Sequence, residues 1–446
     1  MMFLLGVLFM ILGVGASIAL HEIGHLTPAK KFGVKVTQYM VGFGPTIWSK
    51  RKGETEYGVK AIPLGGYIRM IGMFPPRPED EVLPDGTIRV RASSTGRFSQ
   101  LVDEARNAAH EEVSPADQHR VFYDLPTHKK LIIMFGGPFM NLVIAGVLLT
   151  IVACGIGLPT EKAAKIYTVQ QCQDAAVKTC APAERAPASV AGLKDDDELV
   201  SIGGRRITGG TEAINTIRAH AGKPVEIVVL RDGRQQAITV TPVARTMDKI
   251  DADGAPVLDW KGQRERAEVG VIGASIGAAK IVDERRPLTA APGIVWDTLA
   301  KTASIFVKIP QKMVGVFYAA FGSGERDVNG PVSVVGVGRI AGEVADIQQI
   351  TLMDKFAMLL MMLAALNMAL FVFNLVPLLP LDGGHIATAI WEAIKRPVLR
   401  ARGVKGRIYA DAAKGMPVAY GVSLVLIVMF VLLAYADIVN PVKLGN

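Results

Sequence analysis

The chain has 446 residues, 50% hydrophobic and 20% charged, with a formal net charge of +8 and a mean hydropathy of +0.32. That length allows a sizeable core and several domains, while the composition excludes a disordered chain and disfavours an all-soluble enzyme. The basic excess comes with only 7% aromatic residues, which argues for loops facing a membrane and no nucleic acid, and three cysteines are too few for a disulfide framework or a cysteine zinc site.

Residues 2–20 carry no charge, and a bilayer core of about 30 Å needs about 20 such residues, so a first span is expected here. A cleaved signal peptide is disfavoured, because no Lys or Arg precedes the run and it outlasts a usual signal core. Where the span ends stands His21-Glu22-Ile23-Gly24-His25. On a helix, His21 and His25 share one face, so two imidazoles can hold one metal ion, with Glu22 beside them to take a proton from an attacking water. The pattern recurs by chance. Its place gives it weight, since ionisable groups at the end of an apolar helix are costly without partners and a role.

Residues 36–72 read as short strands over 36–41, 56–61 and 67–71, separated by Gly42-Phe43-Gly44-Pro45 and Pro63-Leu64-Gly65-Gly66. The segment is apolar for a loop, which suggests a β-structure dipping into the membrane, where its backbone must be paired or line a wet cavity. Residues 76–128 are polar and read as a cytoplasmic insertion with a helix around 98–109. A second span is expected over 131–158.

Residues 161–246 look like one small domain. The turn Gly192-Leu193-Lys194-Asp195-Asp196-Asp197 feeds a strand, residues 211–220 have helical periodicity, and 226–230 and 236–241 form a hairpin about Asp232-Gly233. This order resembles a PDZ domain, which binds peptide ends or extended strands by adding them to a sheet edge. Glycine is usual in such domains where Asp196 stands. Cys172 and Cys180 flank the outer side; they pair if that side is oxidising and stay free if it is not. Within 247–350, apolar residues from Val295 to Val316 recur at helical spacing opposite Lys301, Lys308 and Lys312, the pattern of an amphipathic helix lying on the membrane.

A third span is expected within 356–381. It ends in Asn374-Leu375-Val376-Pro377-Leu378-Leu379-Pro380-Leu381-Asp382-Gly383-Gly384-His385. A catalytic zinc usually takes three protein ligands and leaves one position open. Asp382 is the preferred third ligand; His385 is the other candidate, with a supporting or structural role. Pro377 and Pro380 break the helix and free backbone groups for an extended substrate, Asn374 offers donors to a developing oxyanion, and Gly383 and Gly384 allow close approach around the metal. A fourth span is expected over 416–435. The basic loops between spans one and two and between spans three and four place both in the cytoplasm. Both termini and the PDZ-like segment are then outside, with the end of the third span level with His25.

At these residues the chain resembles the site-2 protease family of intramembrane zinc metalloproteases, in the bacterial branch that carries a PDZ domain and cleaves anti-sigma factors. The likeness rests on the histidine motif, Gly42 to Pro45, Ile62-Pro63-Leu64-Gly65-Gly66-Tyr67, Gly136-Gly137-Pro138-Phe139-Met140-Asn141, Gly330-Pro331 and Leu381-Asp382-Gly383-Gly384. It implies His21, His25 and Asp382 as ligands of Zn2+, Glu22 as catalytic base, Asn374 and Pro377 as substrate contacts, and a membrane-dipping sheet, with Gly65 and Gly66, that guides the substrate strand. It also implies a polytopic α-helical protein of the bacterial inner membrane, with about four transmembrane helices, a membrane-associated β segment and an inserted α+β PDZ-like domain. Single-pass transmembrane proteins would be its substrates, after a first extracytoplasmic cut. The family usually spaces the two prolines two apart, whereas here they are three apart, with the Asn374 to Asp382 interval unchanged. A catalytically inactive PDZ-bearing scaffold is the alternative. The intact His, Glu, His and Asp set argues against it, and the lack of repeat symmetry argues against a metal transporter.

Overall fold

The computed structural model describes all residues except 77–80, 83–87, 90–101, 105, 108, 110–112, 175–176, 178, 252–255, 323, 329, 404–407 and 443–446. In chain order the elements that matter are α1 (Met2–Lys31), β1 (Val36–Lys52), β2 (Thr55–Met70), α2 (Thr127–Thr150), β3 (Leu158–Val169), β4 (Glu198–Ile202) and α3 (Gly210–Arg218). They continue as β5 (Val225–Arg231), β6 (Arg234–Val240), β7 (Val243–Asp248), β8 (Arg266–Val271), β9 (Ala274–Glu284), α4 (Ala291–Val307) and α5 (Ile309–Phe321). Last come α6 (Val334–Asp346), α7 (Leu352–Asn374), α8 (Asp382–Ala401) and α9 (Met416–Val439). They group into two compact units, the first comprising Met1–Ile151, Thr289–Ile309 and Val332–Ala434, the second Val152–Leu288, Pro310–Pro331 and Tyr435–Asn446.

In the first unit, helices long and apolar enough to cross a membrane begin at Met2, Thr127, Leu352 and, through a preceding 3-10 turn and then α9, at Ala412. Their outward faces stay apolar, with Leu4, Leu12, Val147 and Leu424 all more than half exposed, as lipid-facing residues should be. The chain is a membrane protein with a β-rich region. Helix α1 runs on past its apolar stretch to Lys31, with Lys30 and Lys31 opposing the negative end of its dipole. Helix α7 starts in a capping box, Thr351 and Asp354 each satisfying the other's backbone N–H. Helices α1 and α2 cross where a Cβ on Gly24 would stand 2.7 Å from the Gly136 carbonyl carbon, so the two backbones touch. Near this crossing Leu26, Ala29, Val34, Val36, Ile133 and Met134 form one core cluster. Lys130 of α2 is buried with Glu392 of α8 at 2.9 Å, and Arg396 and the Ala410 N–H also donate to that carboxylate.

The three short strands expected over 36–71 form one curled hairpin. The first half of β1 pairs on one side with residues from Glu56 and on the other with Gly66 to Arg69, so residues 38–41 are its centre. The rest of β1 extends the hairpin and exposes Phe43, Ile47 and Trp48. Of the expected helix over 98–109, residues 102–104, 106, 107 and 109 are helical and the remainder lie outside the described residues.

In the second unit the sheet order is β9-β3-β4-β5-β6, and β7 pairs with β8. The core is Ile166, Leu199, Ile202, Ala213, Ile217, Ile227, Val229 and neighbours. Asp232 and Gly233 both have positive φ in the β5–β6 turn, as expected of that dipeptide. Asp196 adopts φ 70, the left-handed conformation that glycine would supply at that position. Cys172 and Cys180 are joined. The sheet does not stop near residue 246, as the sequence suggested: β9 pairs with β3 from Ala274↔Val169 to Glu284↔Leu158. Alternation in Ala274–Glu284 is weak because Gly277, Ala278 and Ala279 contribute little apolar signal. The single amphipathic helix expected after it is two helices, α4 and α5, that break at Lys308.

Candidate metal centre

Helix α1 carries His21 and His25 one turn apart, and α8 begins at Asp382, whose carboxylate lies in the favourable first turn of that helix. The two imidazoles present Nε2 to one point. The nitrogens are 3.2 Å apart, and Asp382 Oδ2 lies 3.5 Å from that of His21 and 3.3 Å from that of His25. Bonds of about 2.0–2.1 Å in a tetrahedron separate donors by about 3.3 Å, so the three atoms fit the corners of a zinc site with the fourth free. Among the described residues these three are the His, Cys, Asp or Glu group that could hold a metal ion. His385 stands apart and lines a small cavity with Phe122, Lys130 and Glu392.

Helix α2 supports the histidines from behind. The Ile133 carbonyl accepts from His25 Nδ1 at 2.7 Å, and the Asn141 amide meets His21 Nδ1 at 3.1 Å. Between those two contacts Gly137 lies flat against the His25 ring, where a Cβ would stand 2.6 Å from Cδ2. Glu22 is buried beside the cluster, next to Ile68 of β2. Its Cγ would be 3.0 Å from a Cβ on Gly66, so β2 reaches the site edge-on because residue 66 has no side chain. Tyr39 donates its hydroxyl to the Ala19 carbonyl at 2.8 Å.

Asn374 is the last residue of α7, and its amide has no hydrogen-bond partner among the described residues. Pro377 lines a cavity of about 440 Å³ with Leu378, Gly384 and Trp391. The Leu379–Pro380 bond is cis. Gly65 has φ +106, and a Cβ there would stand 2.6 Å from Cε2 of the Phe43 ring. Gly383 and Gly384 were expected to give room around a metal. The structure gives them another neighbour: a Cβ on Gly383 would meet the Leu375 carbonyl carbon at 2.6 Å and one on Gly384 the Leu379 nitrogen at 2.5 Å. Their smallness lets the 375–379 backbone fold back on the start of α8. Sequence reasoning gave no role to Ile133, Gly137 or Asn141, although a buried Asn in an apolar span is a signal of its own.

The sequence signature of Peptidase family M50 matches residues 9–416. The chain is similar to the zinc metalloprotease Rip1 of Mycobacterium tuberculosis, 34% identical with all of both chains covered. It is 26% identical to the zinc metalloprotease RasP of Geobacillus kaustophilus, over 87% of this chain and 90% of that one. It is also 25% identical to the regulator of sigma-W protease RasP of Bacillus subtilis, over 90% and 93%.

Proposed function

Since the chain belongs to peptidase family M50 and is a zinc metalloprotease, we propose that it cleaves single-pass transmembrane proteins of the anti-sigma-factor kind within the bilayer. His21, His25 and Asp382 hold the metal in this reading. The observation that carries it is the convergence of those three donor atoms beside the buried Glu22, at the end of an apolar helix.

A bound zinc ion supplies Lewis acidity toward the scissile carbonyl and toward water. Glu22 takes the proton of the attacking water and delivers it to the leaving amine nitrogen as the C–N bond breaks. Asn374 donates to the carbonyl oxygen as it gains charge, and Pro377 holds the approach. An unwound substrate strand lies along the hairpin at Gly65 and Gly66, which brings its backbone to Glu22. The basic loops support a cytoplasmic side for the zinc site in a bacterial inner membrane, with the β-rich unit outside. That unit is PDZ-like in this reading. It holds back substrates with bulky outer domains or reads a newly trimmed end.

The test is cleavage by the purified chain in detergent, native against Glu22→Gln, of a single-pass substrate with and without its outer domain. Zinc-dependent cleavage lost in Glu22→Gln, by about 10²–10⁴-fold, supports the assignment. Undiminished cleavage by Glu22→Gln with zinc bound would refute it, and equal rates on intact and trimmed substrate would refute the gating role.

A further inference from the structure

The two histidines are not supported alike. Ile133 offers His25 a carbonyl, which only accepts, so His25 Nδ1 carries the proton and its Nε2 lone pair is free for the metal. His21 meets an amide. As placed, Asn141 turns Nδ2 to His21 Nδ1 at 3.1 Å, while its Oδ1 is buried with no hydrogen-bond partner. Asn141 itself is 1% exposed, so no bulk water completes that oxygen. A donor at Nδ1 would also force the imidazole proton onto Nε2, the atom that faces His25 and Asp382. Turning the amide by half a turn exchanges oxygen and nitrogen without moving any neighbour. The stranded acceptor then receives the Nδ1 proton, and the nitrogen takes the place the oxygen held.

We propose that Asn141 is a positioning residue for His21: its side-chain oxygen accepts the Nδ1 proton and keeps the Nε2 lone pair aimed at the point shared with His25 and Asp382. This rests on the reading of those three residues as zinc ligands. Helix α2 then orients both histidines, through Ile133 and Asn141, from either side of the glycines that let it touch α1. The arrangement matches the general rule that a histidine ligand gives its second N–H to a fixed acceptor.

The experiment compares zinc affinity of the purified full chain, by competition with a chromophoric chelator, for the native protein, Asn141→Asp and Asn141→Leu. The visible spectrum of each cobalt-loaded form and the melting temperature of each metal-free form are recorded alongside. An aspartate can only accept, so Asn141→Asp should hold zinc within about threefold of native or tighter. Leucine accepts nothing, and Asn141→Leu should bind about 10–100-fold more weakly with an altered cobalt spectrum. If Asn141→Leu does not fold, Asn141→Ala takes its place with the same expectation. Native-like affinity in the leucine or alanine form would overturn the proposal, as would an Asn141→Asp as weak as that form. A residue that only packed the helices would lower the metal-free melting temperature and leave the affinities together. Zinc binding by the native chain that survives His21→Ala would overturn the ligand reading itself.

Discussion

Gly137→Ala separates the fold from the metal centre. The new methyl would stand 2.6 and 2.7 Å from Cδ2 and Cε1 of His25, with Nε2 closer still. Non-bonded carbons settle at about 3.5–4.0 Å, so the ring must move by about 1 Å. A metal–ligand bond tolerates about 0.2 Å, which means that His25, as a proposed ligand, would leave the coordination sphere. Zinc affinity should fall by at least about 100-fold, or roughly 2.7 kcal/mol. The obstacle is the end of one side chain, so the metal-free protein should still fold. Gly146→Ala on the same helix is the control. Its methyl meets only Val295, at 3.7 Å, and should leave zinc binding unchanged while stabilising the helix by up to about 1 kcal/mol. Chelator competition on both variants, with cleavage measured in parallel, decides the matter. Zinc affinity within about threefold of native in Gly137→Ala would refute the packing argument.

Glu392→Leu should cost about 3–5 kcal/mol in denaturant unfolding in detergent, since it leaves Lys130 buried without its carboxylate, and Lys130→Met added to it should restore part of the loss. A single-variant loss below about 1 kcal/mol would mean that water reaches the pair. Acidification should loosen the turn over residues 115–120. Hydrogen bonds from Lys35 to Asp117 and from Arg120 to Glu54 lower both carboxyls, so their stabilisation is complete above the ordinary carboxylate range and is lost as pH falls through the lowered values. Amide exchange at residues 33–35 and 117–122 reads this out, and in Arg120→Gln the loss of protection should begin at a higher pH.

Much of the candidate metal centre could be read in the chain because the pattern uses local spacing: His21 and His25 share a helix face by periodicity alone. Asp382 could be named because it is the one acid at the end of a long apolar run. The supports could not be named in the same way. Ile133 acts through its carbonyl, which every residue has, and Gly137 acts by lacking a side chain. Asn141 carried a polar signal, but its target is set by how α2 crosses α1. The hairpin strands showed through glycine and β-branched spacing, while the pairing of β1 on both edges depends on how β2 curls. Strand β9 stayed hidden because Gly277, Ala278 and Ala279 blur its alternation, and its partner lies more than a hundred residues earlier.

The distance along the chain between His25 and Asp382 also sets a clock. A ribosome adding about 5–20 residues per second delivers Asp382 roughly 20–70 s after His25. Throughout that interval the nascent protein has both imidazoles and Glu22 but lacks the carboxylate proposed as the third ligand. A metal centre that needs all three proposed donors is therefore incomplete until Asp382 has been made.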